Sequence, residues 1–264
     1  MKIRNLLVMA AFLMLFSCAE KRANPLIQNL DKSWIVTTDT LNIKMEVDIP
    51  SVIQADMYEN GLIPHPYKSN IESQLHWIPQ HEWEYSLDFK AEDYILREDV
   101  IELVFEGLDT YADVWMNGKK ILHADNMFRT YSYDVKDIIE ETNNIKIKFY
   151  PFDKERDSLI ETYPLRFPEK YAVMRKAAYQ NGWDWAPRYM NMGIWQPVYI
   201  KAWTRSTICS ASVITNEIHD DKADLFFEAC INADVEHDIT LQLFQENEKI
   251  LDKTSFQYPV LLQQ

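Results

Sequence analysis

Past its N-terminal apolar run, the chain repeats short stretches in which apolar and polar residues alternate, each closed off by turn-forming residues, while sustained helical periodicity is scarce. In Ile101-Glu102-Leu103-Val104-Phe105 the odd positions make one apolar face. Segments of this kind half-bury a strand, and a series of them buries its faces by packing sheet on sheet, so the expected fold is an all-β sandwich. A second run, Tyr111 to Met116, leads into Asn117-Gly118, a hairpin signal because both positions accept positive φ, and Ile121 to His123 returns as the partner strand. Further strands are expected at Phe128 to Tyr133, at Ile145 to Phe149 with Ile145, Ile147 and Phe149 on one side, and at Gln196 to Trp203. Val135 to Glu141 reads as one helical turn, Pro151 to Pro168 as a less regular connection, and Tyr171 to Tyr179 as a short helix or an irregular arm.

A boundary is expected near Thr204 to Ser206, separating a first domain, 26–204, from a second β module, 205–264. Strands of that module are read at Thr207 to Thr215, Ala223 to Ile231, Ile239 to Gln245 and Lys253 to Tyr258. An immunoglobulin-like sandwich takes about 100 residues, so the second module is expected to be incomplete, and Leu261-Leu262-Gln263-Gln264 shows no capping turn that would finish it. A (β/α)₈ barrel takes about 250 residues by itself, which excludes a barrel beside another domain in this chain. Glycine is scarce, with five residues where average usage would give roughly 18. That scarcity excludes a Gly-rich repetitive scaffold, and no P-loop, dinucleotide fingerprint or Gly-x-Ser-x-Gly elbow is present.

With 27 basic against 41 acidic residues, the net charge of −14 argues against a nucleic-acid partner. At the N-terminus Lys2 and Arg4 precede an apolar run from Leu6 to Phe16, which fits an export signal and is too short to span a bilayer comfortably. The run ends Leu15-Phe16-Ser17-Cys18 and resembles a bacterial lipoprotein signal over residues 1–18, with Cys18 as the lipidated residue. An ordinary secretory signal cut near Ser17 or Ala19 is the alternative. The expected location is therefore outside the cytoplasm, as an outer-membrane lipoprotein or in the periplasm, with the lipid as the sole membrane contact. Two readings stand for Cys209 and Cys230: a disulfide across an antiparallel hairpin, or two small buried hydrophobes.

The densest feature is Arg175-Lys176-Ala177-Ala178-Tyr179-Gln180-Asn181-Gly182-Trp183-Asp184-Trp185-Ala186-Pro187-Arg188, followed by Gly193-Ile194-Trp195-Gln196-Pro197-Val198-Tyr199. Two tryptophans bracketing an aspartate beside Gly and Pro make a stiff loop with stacking faces and a hydrogen-bonding carboxylate. Sugars suit such a surface, because their C–H faces pack on aromatic rings while vicinal hydroxyls donate to a carboxylate. The competing reading is that the tryptophans fill the sandwich. Trp195 and Trp203 are expected in the core, and at least one of Trp183 and Trp185 is expected to be structural.

This stretch resembles the N-terminal sugar-binding domain of β-mannosidases of glycoside hydrolase family 2, whose loop reads Gly-Trp-Asp-Trp-Gly-Pro before Gly-Ile-Trp-x-Pro-Val. Four further segments resemble that family in the same order: Asn60-Gly61-Leu62-Ile63-Pro64; Trp77-Ile78 with Glu82-Trp83-Glu84-Tyr85; Phe105 to Val114 with Asn117-Gly118; and Asp125-Asn126-Met127-Phe128-Arg129. The resemblance implies a jelly-roll-like (galactose-binding-like) β-sandwich, then an incomplete immunoglobulin-like β-sandwich, with the catalytic (β/α)₈ barrel absent from the chain. It implies Trp183, Asp184 and Trp185 as substrate-binding residues, β-mannoside glycans or oligosaccharides as partners, and the missing barrel as an intramolecular partner. One departure is Ala186 where the family has glycine; if that position needs φ > 0, alanine costs about 1 kcal/mol or more.

Retaining glycoside hydrolysis needs two carboxyl groups about 5–5.5 Å apart. The family takes both from the barrel, so no catalytic residue is assigned and the 264-residue chain alone is expected to be inactive. The six histidines show no ligand spacing, so neither a metal nor another cofactor is expected. Two other functional classes remain open: a free-standing cell-surface carbohydrate-binding protein, and a truncated remnant without activity.

Overall fold

The structure, a computed structural model, describes residues 24–38, 40–68, 70–162, 169–233, 240–245 and 248–254. The expectations for the signal over 1–18, for Cys18 and for the last residues from 255 lie outside the described residues. Two compact units are present: Ile27–Thr204 forms one, and the described residues from Arg205 onward belong to the other.

The first unit runs β1 (Leu26–Asn29), β2 (Trp34–Thr38), β3 (Ile43–Val47), α1 (Ile53–Glu59), α2 (Glu72–Leu75), β4 (Trp83–Lys90), α3 (Asp93–Leu96), β5 (Val100–Phe105), β6 (Leu108–Asp109), β7 (Ala112–Met116), β8 (Lys119–Ala124), β9 (Tyr131–Asp134), β10 (Thr142–Phe149), α4 (Phe152–Thr162), β11 (Gly193–Ile194) and β12 (Val198–Trp203). Four strands form one sheet in the order β1-β12-β5-β9, and six form another in the order β3-β2-β4-β10-β7-β8. Their inward faces follow the period-two pattern. Ile101, Leu103 and Phe105 of β5 are fully buried, as are Ile145, Ile147 and Phe149 of β10. Trp34 and Trp83 are also buried whole, and each indole N–H is satisfied, by Leu30 O at 2.7 Å and Ile78 O at 2.9 Å. The architecture is an all-β sandwich.

Asn117 and Gly118 take φ of 51° and 80° and join β7 to β8, with Met116 opposite Lys119, as the dipeptide predicts. Two local expectations change, and a third, for the arm over Tyr171 to Tyr179, is made specific. The stretch read as an irregular connection contains α4: Asp153 and Glu155 lie in its first turn, Arg156 pairs with Asp153 and Asp157, and Leu159 and Ile160 pack on a cluster around Phe152. Phe128, expected to open a strand, is exposed, and pairing starts at Tyr131. The arm over Tyr171 to Tyr179 consists of 3₁₀ turns, Lys170–Val173 and Ala178–Asn181.

In the second unit, β13 (Ser206–Ile218) pairs antiparallel with β14 (Ala223–Ala233), and β15 (Thr240–Gln245) with β16 (Glu248–Thr254). Cys230 stands opposite Ser210, and Cys209 is the extra residue of a register shift. Both cysteines are exposed, which removes the reading of two buried hydrophobes.

Candidate functional site

The loop that follows Gln180 is built as a tight turn. Trp183 N donates to Ala186 O at 3.0 Å and Ala186 N donates to Trp183 O at 3.1 Å, closing a four-residue reversal around Asp184 and Trp185. The two indoles meet edge to face with centroids 6.1 Å apart, and both are exposed, Trp183 at 61% and Trp185 at 83%. The expectation that one of them is structural is overturned, because the reversal lies at the surface and leaves both indoles in solvent. The Asp184 carboxylate is exposed and has no hydrogen bond or ion pair among the described residues. Trp203 is buried, whereas Trp195 is half-buried and donates from Nε1 to Met127 O at 3.0 Å, lying over Gly107.

Gly182 sits at φ +81°, and a Cβ there would stand 3.2 Å from the backbone N and Cα of Arg188. Gly182→Ala is expected to cost more than about 1 kcal/mol and to alter the near-ultraviolet circular dichroism of the tryptophan pair; an unchanged spectrum with unchanged stability would show that the turn tolerates a side chain there. Ala186, by contrast, is not among the described residues with positive φ, so alanine carries no penalty at that position. From outside, Glu72 Oε1 accepts the Arg188 backbone N–H at 2.8 Å, and the Tyr189 hydroxyl donates to Pro66 O.

An open cleft of about 660 Å³ is bounded by Glu72 and by the loop from Asn181 to Arg188. A smaller hollow of about 300 Å³ lies among Gln54, His76, Phe152, Arg156 and Arg188, the last of which also bounds the cleft. Beneath the loop is a buried charge pair that the sequence did not single out. Lys176 Nζ donates to Asp109 Oδ1, and both side chains are 1% exposed. Burial pulls the Lys176 ammonium below its ordinary pKa, against the attraction of Asp109. Lys176 and Asp109 both fall inside family-like segments, yet they are 67 positions apart, and no spacing rule connects them.

Among the described residues, Glu217, His219 and Asp224 bring ligand-type atoms within 4.8 Å of one another. All three are exposed around the β13–β14 turn, where His219 lies 3.4 Å from each carboxylate, an ordinary surface ion cluster.

Comparison with known proteins places this geometry. Residues 29–196 match the family model described as glycosyl hydrolase 2 galactose-binding domain-like. A β-mannosidase of Mus musculus is 29% identical over 187 residues, covering 66% of this chain and 21% of its own length. β-Mannosidase A of Emericella nidulans is 31% identical over 182 residues, covering 64% of this chain and 19% of its own. The crystal structure of a β-D-mannosidase from Dictyoglomus thermophilum superposes with a TM-score of 0.81 at 28% identity, over 89% of this chain and 30% of that one. A β-glucuronidase from an uncultured Clostridium, 16% identical with a TM-score of 0.59, shares the fold. The chain spans about a fifth of the length of the β-mannosidases it matches in sequence. Because the matched segment covers most of the sandwich, from the end of β1 to the residues before β12, and holds the Trp183-Asp184-Trp185 turn, the chain belongs to the glycosyl hydrolase 2 galactose-binding domain-like family.

Proposed function

We propose that the chain is the sugar-positioning part of an exported β-mannosidase that removes terminal β-linked mannose by a retaining mechanism, the catalytic glutamates lying on a barrel outside this chain. One observation carries the reading: the Trp183-Asp184-Trp185 turn presents two exposed indoles and an exposed carboxylate, without a hydrogen bond or ion pair among the described residues, on a backbone closed by its own hydrogen bonds. A pyranose lays its C–H face on an indole while neighbouring hydroxyls donate to Asp184. Because the loop is ordered before the sugar arrives, binding loses little conformational entropy, and the contribution to rate is one of orientation. Export, with Cys18 lipidated, and a disulfide between Cys209 and Cys230 across the β13–β14 hairpin belong to the same proposal; the two cysteines stand one register step apart.

The test is a ¹H–¹⁵N titration of the chain with mannobiose. A dissociation constant of about 1 mM, with shifts at the Trp183 and Trp185 indoles, is expected, and Asp184→Ala should abolish both. Shifts elsewhere, or none, would overturn the assignment of the loop. Binding without mannose release from an aryl β-mannoside is the expected pairing, and release by the chain alone would show that the bond-cleaving groups lie within it. The exposure of both indoles also favours a second reading, a free-standing carbohydrate-binding protein; binding tighter than about 10 μM would select it, since such a site needs no barrel to complete it.

A further inference from the structure

We propose that Lys176, Asp109 and Gln180 are positioning residues for the sugar-binding turn: a buried hydrogen-bonded network that ties both stems of the Trp183-Asp184-Trp185 loop to one carboxylate. The inference deepens the functional reading above and rests on it.

The network closes on itself. Asp109, at the end of β6, offers two oxygens. Oδ1 accepts from Lys176 Nζ and from the Thr110 hydroxyl, while Oδ2 accepts from Gln180 Nε2 at 2.9 Å. Lys176 also donates to Asn191 O at 2.6 Å and lies 3.4 Å from Thr110 Oγ1, and Gln180 Oε1 accepts the Asn191 backbone N–H at 2.8 Å. Lys176 and Gln180 enter the loop and Asn191 leaves it, so both main-chain polar groups of the exit residue are held by the two side chains of the entry stem. Asp109 in turn pairs with Gly193 in the short β6–β11 ladder, which fixes the carboxylate against the sheet side of the molecule. Lys176, Asp109 and Gln180 are all buried, while the turn they hold is exposed.

Packing alone does not require this arrangement. A pair of apolar side chains of similar volume would fill the same space without desolvating two charges, and buried ion pairs are on average poor sources of stability. What the network supplies is direction. A carboxylate with two fixed acceptor oxygens, a tetrahedral ammonium and a planar amide leave the stems one mutual register, and thereby one placement of the Trp183–Ala186 hydrogen bonds that orient both indoles. Met127 joins the same frame, since its sulfur accepts from Ala177 N at 3.0 Å and its carbonyl from the Trp195 indole.

The test separates orientation from stability. Gln180→Met keeps the volume and the Lys176–Asp109 pair but removes the amide that joins Asp109 to Asn191. Trp183 and Trp185 indole N–H resonances, assigned through Trp183→Phe and Trp185→Phe, report the turn without any sugar. Ile147→Val in the core, far from the network in sequence and fully buried, lowers stability without touching the stems and serves as the control. Gln180→Met is expected to shift or broaden both indole signals and to weaken mannobiose binding about tenfold, the size of one hydrogen bond to a charged group, with Ile147→Val leaving both signals in place. Lys176→Arg should give a smaller displacement of the same two signals, because the guanidinium keeps the charge but not the geometry. If both variants lower the unfolding midpoint while the two indole signals stay where they are, the network is structural support only and the proposal fails. If the unsubstituted chain shows no mannobiose binding, the sugar reading of the loop fails, and the indole signals still decide whether the network positions the turn.

Discussion

Lys176→Met is expected to lower the stability of the 27–204 unit by about 3–5 kcal/mol. The substitution keeps the length of the side chain but leaves Asp109 buried with its charge uncompensated, its remaining partners being the Thr110 hydroxyl and the Gln180 amide. It also strips Asn191 O of its donor, and an unsatisfied buried polar group adds its own desolvation cost. The measurement is convenient, because all eight tryptophans lie between Trp34 and Trp203, so fluorescence during urea unfolding reads this unit and not the hairpins that follow. The double variant Lys176→Met with Asp109→Leu should recover part of the loss, since it removes the orphaned charge, and should fall short of the unsubstituted protein because Asn191 O loses its Lys176 donor and Gln180 Nε2 keeps only the distant Met127 sulfur. A single substitution that costs less than about 1 kcal/mol would show that water reaches Asp109 and that the pair is not the closed network described above.

A second large effect is a loss of stability with rising pH that traces to Asp56. This residue of α1 is 2% exposed, and burial pushes its carboxyl from 3.8 up to about 6, with repulsion from Glu59 in the same direction and hydrogen bonds from Ser51 and Tyr85 opposing. A carboxyl raised in the folded state binds its proton more tightly folded than unfolded. Its contribution is therefore full below about pH 4, falls as pH climbs through about 6, and amounts to at most about 3 kcal/mol across that window. Other carboxylates act the opposite way. Burial pushes Asp113 up, but hydrogen bonds from Lys120, His123 and Tyr150 outweigh it and hold it below its usual value, so its contribution is lost as pH falls. The informative quantity is accordingly the difference between the protein and Asp56→Asn, measured as urea midpoints from pH 4.5 to 8. The variant should be the more stable of the two at pH 7.5, and the two should converge toward pH 4.5. Parallel pH profiles would show that Asp56 ionises normally and is reached by solvent.

How much of this was legible beforehand depended on the range of the interaction. The strands at Ile101–Phe105 and Ile145–Phe149 follow from alternation alone, because the pleat sends every second side chain to one face whatever the rest of the fold does. Asn117-Gly118 is likewise local, as its two left-handed residues make the turn by themselves. Helix α4 was readable as well: Pro151 before it, acidic residues in its first turn and an arginine three positions after Asp153 are start signals, obscured by the surrounding prolines. The turn at Trp183 was harder. Its residues are all present in the sequence, but the reversal that leaves both indoles exposed rests on backbone hydrogen bonds between Trp183 and Ala186 that no local pattern announces.

By itself, then, the sequence determined the all-β class and the approximate strand positions, since these rest on side-chain period and turn chemistry. The tertiary structure alone decided that Trp183 and Trp185 are both exposed, that Asp56 is enclosed, and that Lys176 meets Asp109 across 67 positions of chain. The physical reason is that periodicity and turn chemistry act over a few residues, whereas burial of a charge, and the partner it must then find, are properties of how distant segments close around it.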